Sequence, residues 1–203
     1  MSQSKLEDLF DRIELLQKEI EQELDLKLKE KRELFQYTLK KGKVRFEKRI
    51  HEIQRKYKKG IFPYLRDAKL VHVLSAPIIY SIIFPIILID FSVSFYQHTC
   101  FRLYGIAIVK RSDYVVIDRQ HLAYLNAIEK LNCMYCGYGN GVISYVREII
   151  ARTEQYWCPI KHASKHLDPH QLTDKFTDYG DAQAYKDKLE MLRASLAKKN
   201  EIT

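Results

Sequence analysis

Four residues of this chain have the types and spacing of a metal site: Cys133-x2-Cys136-x21-Cys158-x3-His162. Two residues between thiols let a tight turn aim both sulfurs at one ion. Gly137, directly after Cys136, supplies a backbone without the restraint of a Cβ. Cys-x3-His is also a known ligand spacing. Two such pairs of soft or borderline ligands suit a tetrahedral ion, Zn(II) first and iron second. A closed four-ligand site leaves no position for substrate, so the expected metal is structural. Two other fates compete for the same thiols. One is burial as small apolar residues. The other is a redox dithiol, which lacks a thioredoxin-like βαβ surrounding here.

His166 and His170 follow His162 at intervals of four, which would share one face of a continuous helix. Pro169 is expected to break that helix before His170. Glu154, His166 and His170 are therefore read as supports that orient the ligands through hydrogen bonds. The stretches Cys133–Tyr138 and Trp157–Pro159 resemble fragments of the two metal knuckles of rubredoxins. The resemblance departs at Lys161, where a rubredoxin has a further cysteine. The His162–His166 pair is similar to one histidine box of membrane di-iron oxidases such as fatty-acid desaturases. Those families carry several boxes, whereas this chain has seven histidines in all, one of them the remote His51. Neither resemblance extends to the whole chain. Glycine-rich phosphate loops, a Ser-His-Asp order and an HExxH motif are absent from the sequence.

The elements that must position these residues divide into three unlike parts. The chain has 203 residues and a formal charge of +8, with 46% apolar and 30% charged residues, which excludes wholesale disorder. Four cysteines are too few for a disulfide scaffold. Residues 1–39 carry a net charge of −3, residues 40–69 a net +9, and residues 102–203 a net +3. Between them, residues 70–101 hold a single ionised side chain, Asp90.

Residues 1–60 read as a long amphipathic, coiled-coil-like helix, or a helical hairpin folded at Gly42. Leu6, Leu9, Ile13, Leu16 and Ile20 fit a heptad, which stutters to Leu24 and Leu28. Such a stripe calls for a second copy or a protein partner along residues 4–59. The first 35 residues contain no apolar run, so no cleavable signal is expected. The second half of the helix is basic. Lys48, Arg49, Arg55, Lys56, Lys58 and Lys59 stand just before an apolar segment, the arrangement that binds anionic lipid head groups. Nucleic acid is the weaker partner, because no recognition motif accompanies the cluster.

Residues 61–104 read as a hydrophobic, membrane-associated segment. Leu70–Ile89 is twenty residues without formal charge, interrupted by Pro77 and Pro85, and is near the length of a membrane span. A single span, a Pro-broken in-plane or re-entrant helix pair, and a buried core helix all fit. Basic residues flank both ends, and the CxxC thiols suit a reducing compartment. The expectation is a segment that enters the membrane without crossing it, with both flanks on the cytoplasmic side.

Residues 105–203 read as a small α+β metal-binding domain. A two-stranded hairpin is expected over 106–118 and helices over 121–131 and 142–157. A last helix is expected near 181–199, with Leu189, Leu192 and Leu196 on its apolar stripe. The fold class is thus mainly α: a long N-terminal helix, a Pro-broken membrane segment and a C-terminal metal domain. The functional expectation is a membrane-associated, zinc-stabilised scaffold or accessory protein. The alternative is a metalloenzyme or iron redox protein acting on a membrane substrate.

Overall fold

The computed structural model describes residues 2–35, 37–40, 43–165 and 167–197, and they are mostly helical. Helix α1 spans Ser2–Leu34 and is rich in Glu, Lys, Leu and Gln, all good helix formers. The expected continuous helix to residue 59 does not form. Strands β1 (Tyr37–Lys40) and β2 (Lys43–Phe46) pair antiparallel, with Tyr37 opposite Phe46 and Lys40 opposite Lys43. β-branched and aromatic side chains in this stretch favour extended backbone, and the Tyr37 and Phe46 rings sit 5.6 Å apart. The fold-back expected near Gly42 thus joins two strands rather than two helices; Gly42 itself lies outside the described residues.

After the hairpin come two short helices, α2 (Lys48–Lys56) and α3 (Ile61–Arg66). A helical rod of 35 residues follows, from Leu70 to Tyr104, or about 52 Å of helix. It is built of α4 (Leu70–Ser81), α5 (Ile83–Tyr96), a π turn (Gln97–Phe101) and α6 (Arg102–Tyr104). Pro77 and Pro85 each remove a backbone donor, and the rod responds at Ser81–Ile82. Ile82 N–H turns back to the Ile79 carbonyl at 3.3 Å, a bond one residue shorter than the α pattern. Tyr135 O–H also donates to that carbonyl at 2.7 Å, and Ser81 Oγ donates to Ile78 O at 2.7 Å. The break is a step in one rod, not a reversal between two helices. Gly105 ends the rod with φ of +69°, and Ile106 N–H returns to Phe101 O at 2.8 Å, a glycine-terminated helix stop.

The expected hairpin over 106–118 is also not formed. Residues 106–110 form no strand among the described residues. Val109 instead pairs with the Gln97 side chain, and Ala107 N–H bonds Leu196 O at 3.3 Å. One helix, α7 (Ala127–Trp157), replaces the two expected over 121–157. It starts at Asn126, whose side chain accepts from Ile128 and Glu129 N–H while Glu129 Oε2 accepts from Asn126 N–H, a reciprocal cap. Helix α8 (Ala182–Ala197) closes the fold.

The core crosses the boundary expected at 104/105. Phe101, Ile106, Val109, Tyr145, Ile149 and Leu196 are buried together, with Val93, Tyr96 and Tyr104 packed on them. The end of the apolar rod is therefore part of the C-terminal half of the protein.

Candidate functional site

The four expected metal ligands do not come together. Cys133 and Cys136 lie inside α7, and Cys158 caps its far end. Twenty-one residues of helix lie between Cys136 and Cys158, a rise of about 33 Å. The reason is the role of the glycines. Gly137, Gly139 and Gly141 are helical rather than turn residues. A Cβ on Gly141 would lie 2.7 Å from Tyr114 O and 2.8 Å from Val115 Cα. The missing Cβ lets the segment 114–116 lie directly on α7. Helical backbone at CxxC then replaces the metal knuckle. Among the described residues, no group of three or more His, Cys, Asp and Glu is placed to hold a metal ion.

Three of the residues singled out do meet, without the thiols. Glu154, His162 and His170 line one pocket of about 260 Å3 with Lys161 and Thr173. His170 Nε2 and Glu154 Oε2 are 2.7 Å apart. A carboxylate at that distance fixes an imidazole's orientation and tautomer. Cys158 is exposed, and His166 lies outside the described residues.

The more extensive construction is the apolar rod and what holds it. Helix α7 runs parallel beside it. Tyr80 hydrogen-bonds Asn132, Gly139 faces Ile86, Tyr145 meets Ser94 at 3.2 Å, and Tyr96 meets Thr153 at 3.1 Å. Gln97 in the π turn is fully enclosed. It accepts from Val109 N–H at 3.0 Å and donates to Val109 O and the Tyr145 hydroxyl. Asp90 is buried against Arg111, whose Nη2 lies 2.7 Å from Oδ2, and accepts the Tyr138 hydroxyl at 2.9 Å. Burial first, and the bond to Asp90 second, push the Tyr138 phenol above its ordinary range.

The opposite side of the rod is bare. Phe84, Leu88, Phe91 and Phe95 recur at intervals of four, three and four and are 73%, 65%, 71% and 68% exposed. Leu70, Leu74 and Ile78 extend the exposed apolar surface toward the N-terminal end. Among the described residues this is the one helix long and apolar enough to cross a membrane. The basic residues named from sequence stand just before it: Lys48, Arg49, Arg55 and Lys56 on α2, and Lys58 and Lys59 in the link to α3. Lys59 is partly spent on Asp67, 2.8 Å away. That bond and charge hold the Asp67 carboxyl below the usual carboxylate range.

No family model, no curated protein and no solved structure matches this chain.

Some of the residues that hold the rod carry little signal in the sequence. Asp90 stands out there as the single charge in an apolar run. Nothing in its neighbourhood names Arg111 or Tyr138 as its partners, because those contacts cross 21 and 48 positions of sequence; the bonds of Gln97 to Val109 and Tyr145 likewise cross 12 and 48.

Proposed function

We propose that this is a membrane-associated accessory or scaffold protein, held by the rod Leu70–Tyr104 lying in the membrane surface rather than crossing it. The observation that carries the reading is the two-sided character of the rod. From Ile79 to Tyr96 one side is bonded to α7 and the other exposes large apolar side chains, and Leu70, Val71, Leu74 and Ile78 ahead of that stretch are exposed as well. A full crossing would carry the neighbouring chain into hydrocarbon, with Asp113, Asp118 and Arg119 on the segment leading to α7. Charges there are costly unless paired. A rod lying flat puts its bare apolar face in lipid and leaves α7 and that segment in water.

The basic stretch around α2 supplies the second attachment, through anionic head groups. Four free thiols and the positive flank support the cytoplasmic side. Helix α1 is the partner surface of this proposal. Leu9, Ile13, Leu16, Ile20, Leu24 and Leu28 are all exposed along it, a stripe suited to a second copy or another helical protein. The zinc site is left out of this reading because its four ligands lie along and beyond a single helix.

The test is topology in sealed, oriented membrane vesicles. A tag before residue 2 and the thiols of Cys136 and Cys158 are expected to react from the same side, with the protein resisting salt extraction. Reaction from opposite sides would establish a span and overturn the in-plane reading. Release by high salt alone would show that the rod does not enter lipid.

A further inference from the structure

An apolar cavity beside α2 belongs to neither the rod nor α7. Its volume is about 590 Å3, within the roughly 300–1,000 Å3 of small-molecule sites. Ile50, Ile53 and Tyr57 line it from α2 at intervals of three and four, one side of a helix. Phe46 of the hairpin and Leu122 and Tyr124, just before α7, complete the lining. Gln54 ties the walls together, its Oε1 accepting from Ala123 N–H at 3.2 Å.

Charge decides what fits. Among the described residues, no acidic side chain lines the cavity. Arg49 and Lys56 are exposed on α2, each one residue before a lining residue. Residues 40–69 as a whole carry a net +9. A hollow that is apolar inside, with cations on the helix that lines it, complements an anionic amphiphile, with its hydrocarbon inside and its acid group outside.

We propose that this cavity takes one acyl chain of an anionic phospholipid, with the phosphate held by Arg49 and Lys56. The site deepens the membrane reading by naming a lipid class. Binding at the cavity does not require the rod to lie flat, so the two proposals fail separately.

The experiment is native mass spectrometry of the full chain in neutral detergent. The probes are palmitoyl-oleoyl phosphatidylglycerol and, for comparison, the phosphatidylcholine of the same chains. One phosphatidylglycerol per chain is expected, retained at least about tenfold better than phosphatidylcholine, a ratio equivalent to about 1.4 kcal/mol. Ile53→Trp and Tyr124→Trp fill the cavity from α2 and from the stretch before α7 without adding charge, and each is expected to remove the lipid. Arg49→Gln with Lys56→Gln is expected to bring phosphatidylglycerol down to the level of phosphatidylcholine. Equal retention of the two lipids by the wild type, or retention unchanged in both tryptophan variants, would overturn the proposal. A lipid-free dimer abolished by those variants would assign the cavity to a second copy and overturn it equally.

Discussion

Arg111 grips Asp90 in a fork. Nε lies 3.0 Å from Oδ1 and Nη2 lies 2.7 Å from Oδ2, while Tyr138 closes the remaining side at 2.9 Å. This pair fastens the segment leading to α7 to Asp90, the one ionised side chain of residues 70–101. Removing the guanidinium strands a carboxylate that is 8% exposed. Arg111→Ala is expected to lower stability by about 1–3 kcal/mol. Asp90→Asn combined with Arg111→Gln is expected to recover part of that loss, since no unpaired charge remains. Thermal unfolding in detergent measures both. Equal losses in the single and double variants would mean that the ion pair is not what holds the segment.

The glycines of α7 differ in what a methyl group would meet. Gly141→Ala drives Cβ into backbone atoms at 2.7 and 2.8 Å and is expected to cost about 1–3 kcal/mol as overpacking. Gly139→Ala meets only the Ile86 side chain at 3.4 Å. There, up to about 1 kcal/mol of gained helix propensity offsets the contact. Similar Tm values for the two variants would show that segment 114–116 does not lie on the helix.

The thiols give the sharpest comparison with the metal expectation. Cys136 and Cys158 are exposed, so Cys136→Ser and Cys158→Ser are each expected to shift stability by no more than about 0.5 kcal/mol. A large loss of stability in both, accompanied by release of one zinc per chain, would restore the four-ligand site.

Much of the architecture was legible in the sequence, and the errors have a common cause. The apolar run, the basic stretch before it and the last helix are patterns of neighbouring residues, and they stand where expected. Residues 133–141 are helical where a turn is expected, because a glycine after CxxC marks a turn only if no other chain needs the space. Here Tyr114 and Val115 need it, and a contact between residues 114 and 141 leaves no periodic signal. The same holds for residues 37–46. The helical continuation from Phe35 to Phe46 fits the spacing, but Tyr37 and Phe46 prefer each other across a strand pair. His170 and Glu154 illustrate the intermediate case. Both were named from the chemistry expected of them, and they meet, but around a pocket without the cysteines.

Acid should loosen the link between α2 and the rod. The Asp67 carboxyl is held low by Lys59, first through their hydrogen bond and then through charge. A group whose folded-state pKa is depressed contributes its full stabilisation above the ordinary carboxylate range and loses it as pH falls through the folded value. Titration of the Asp67 carboxyl by NMR is expected to show a midpoint below that of Asp67 in Lys59→Gln. Coincident midpoints would show that the pair is not formed in solution.

Helix α1 offers a test of assembly. Ile13 and Ile20 are exposed and one heptad apart. Ile13→Glu with Ile20→Glu is expected to turn an oligomer into a monomer in sedimentation velocity, with helicity little changed. An oligomer that survives the double substitution would place the interface elsewhere.

The core shared across residue 104 sets an order of events during synthesis. Phe101 and Gln97 leave the ribosome long before Tyr145 and Leu196, the residues that enclose them. For that interval the rod is an apolar stretch with no protein to lean on, and lipid is the one solvent that suits it. On the proposed membrane seating, adsorption precedes folding, α7 and α8 assemble onto a rod already resting there, and a version cut after Tyr104 is expected to find the bilayer. A version beginning at Gly105 would have half of a core and nothing to complete it.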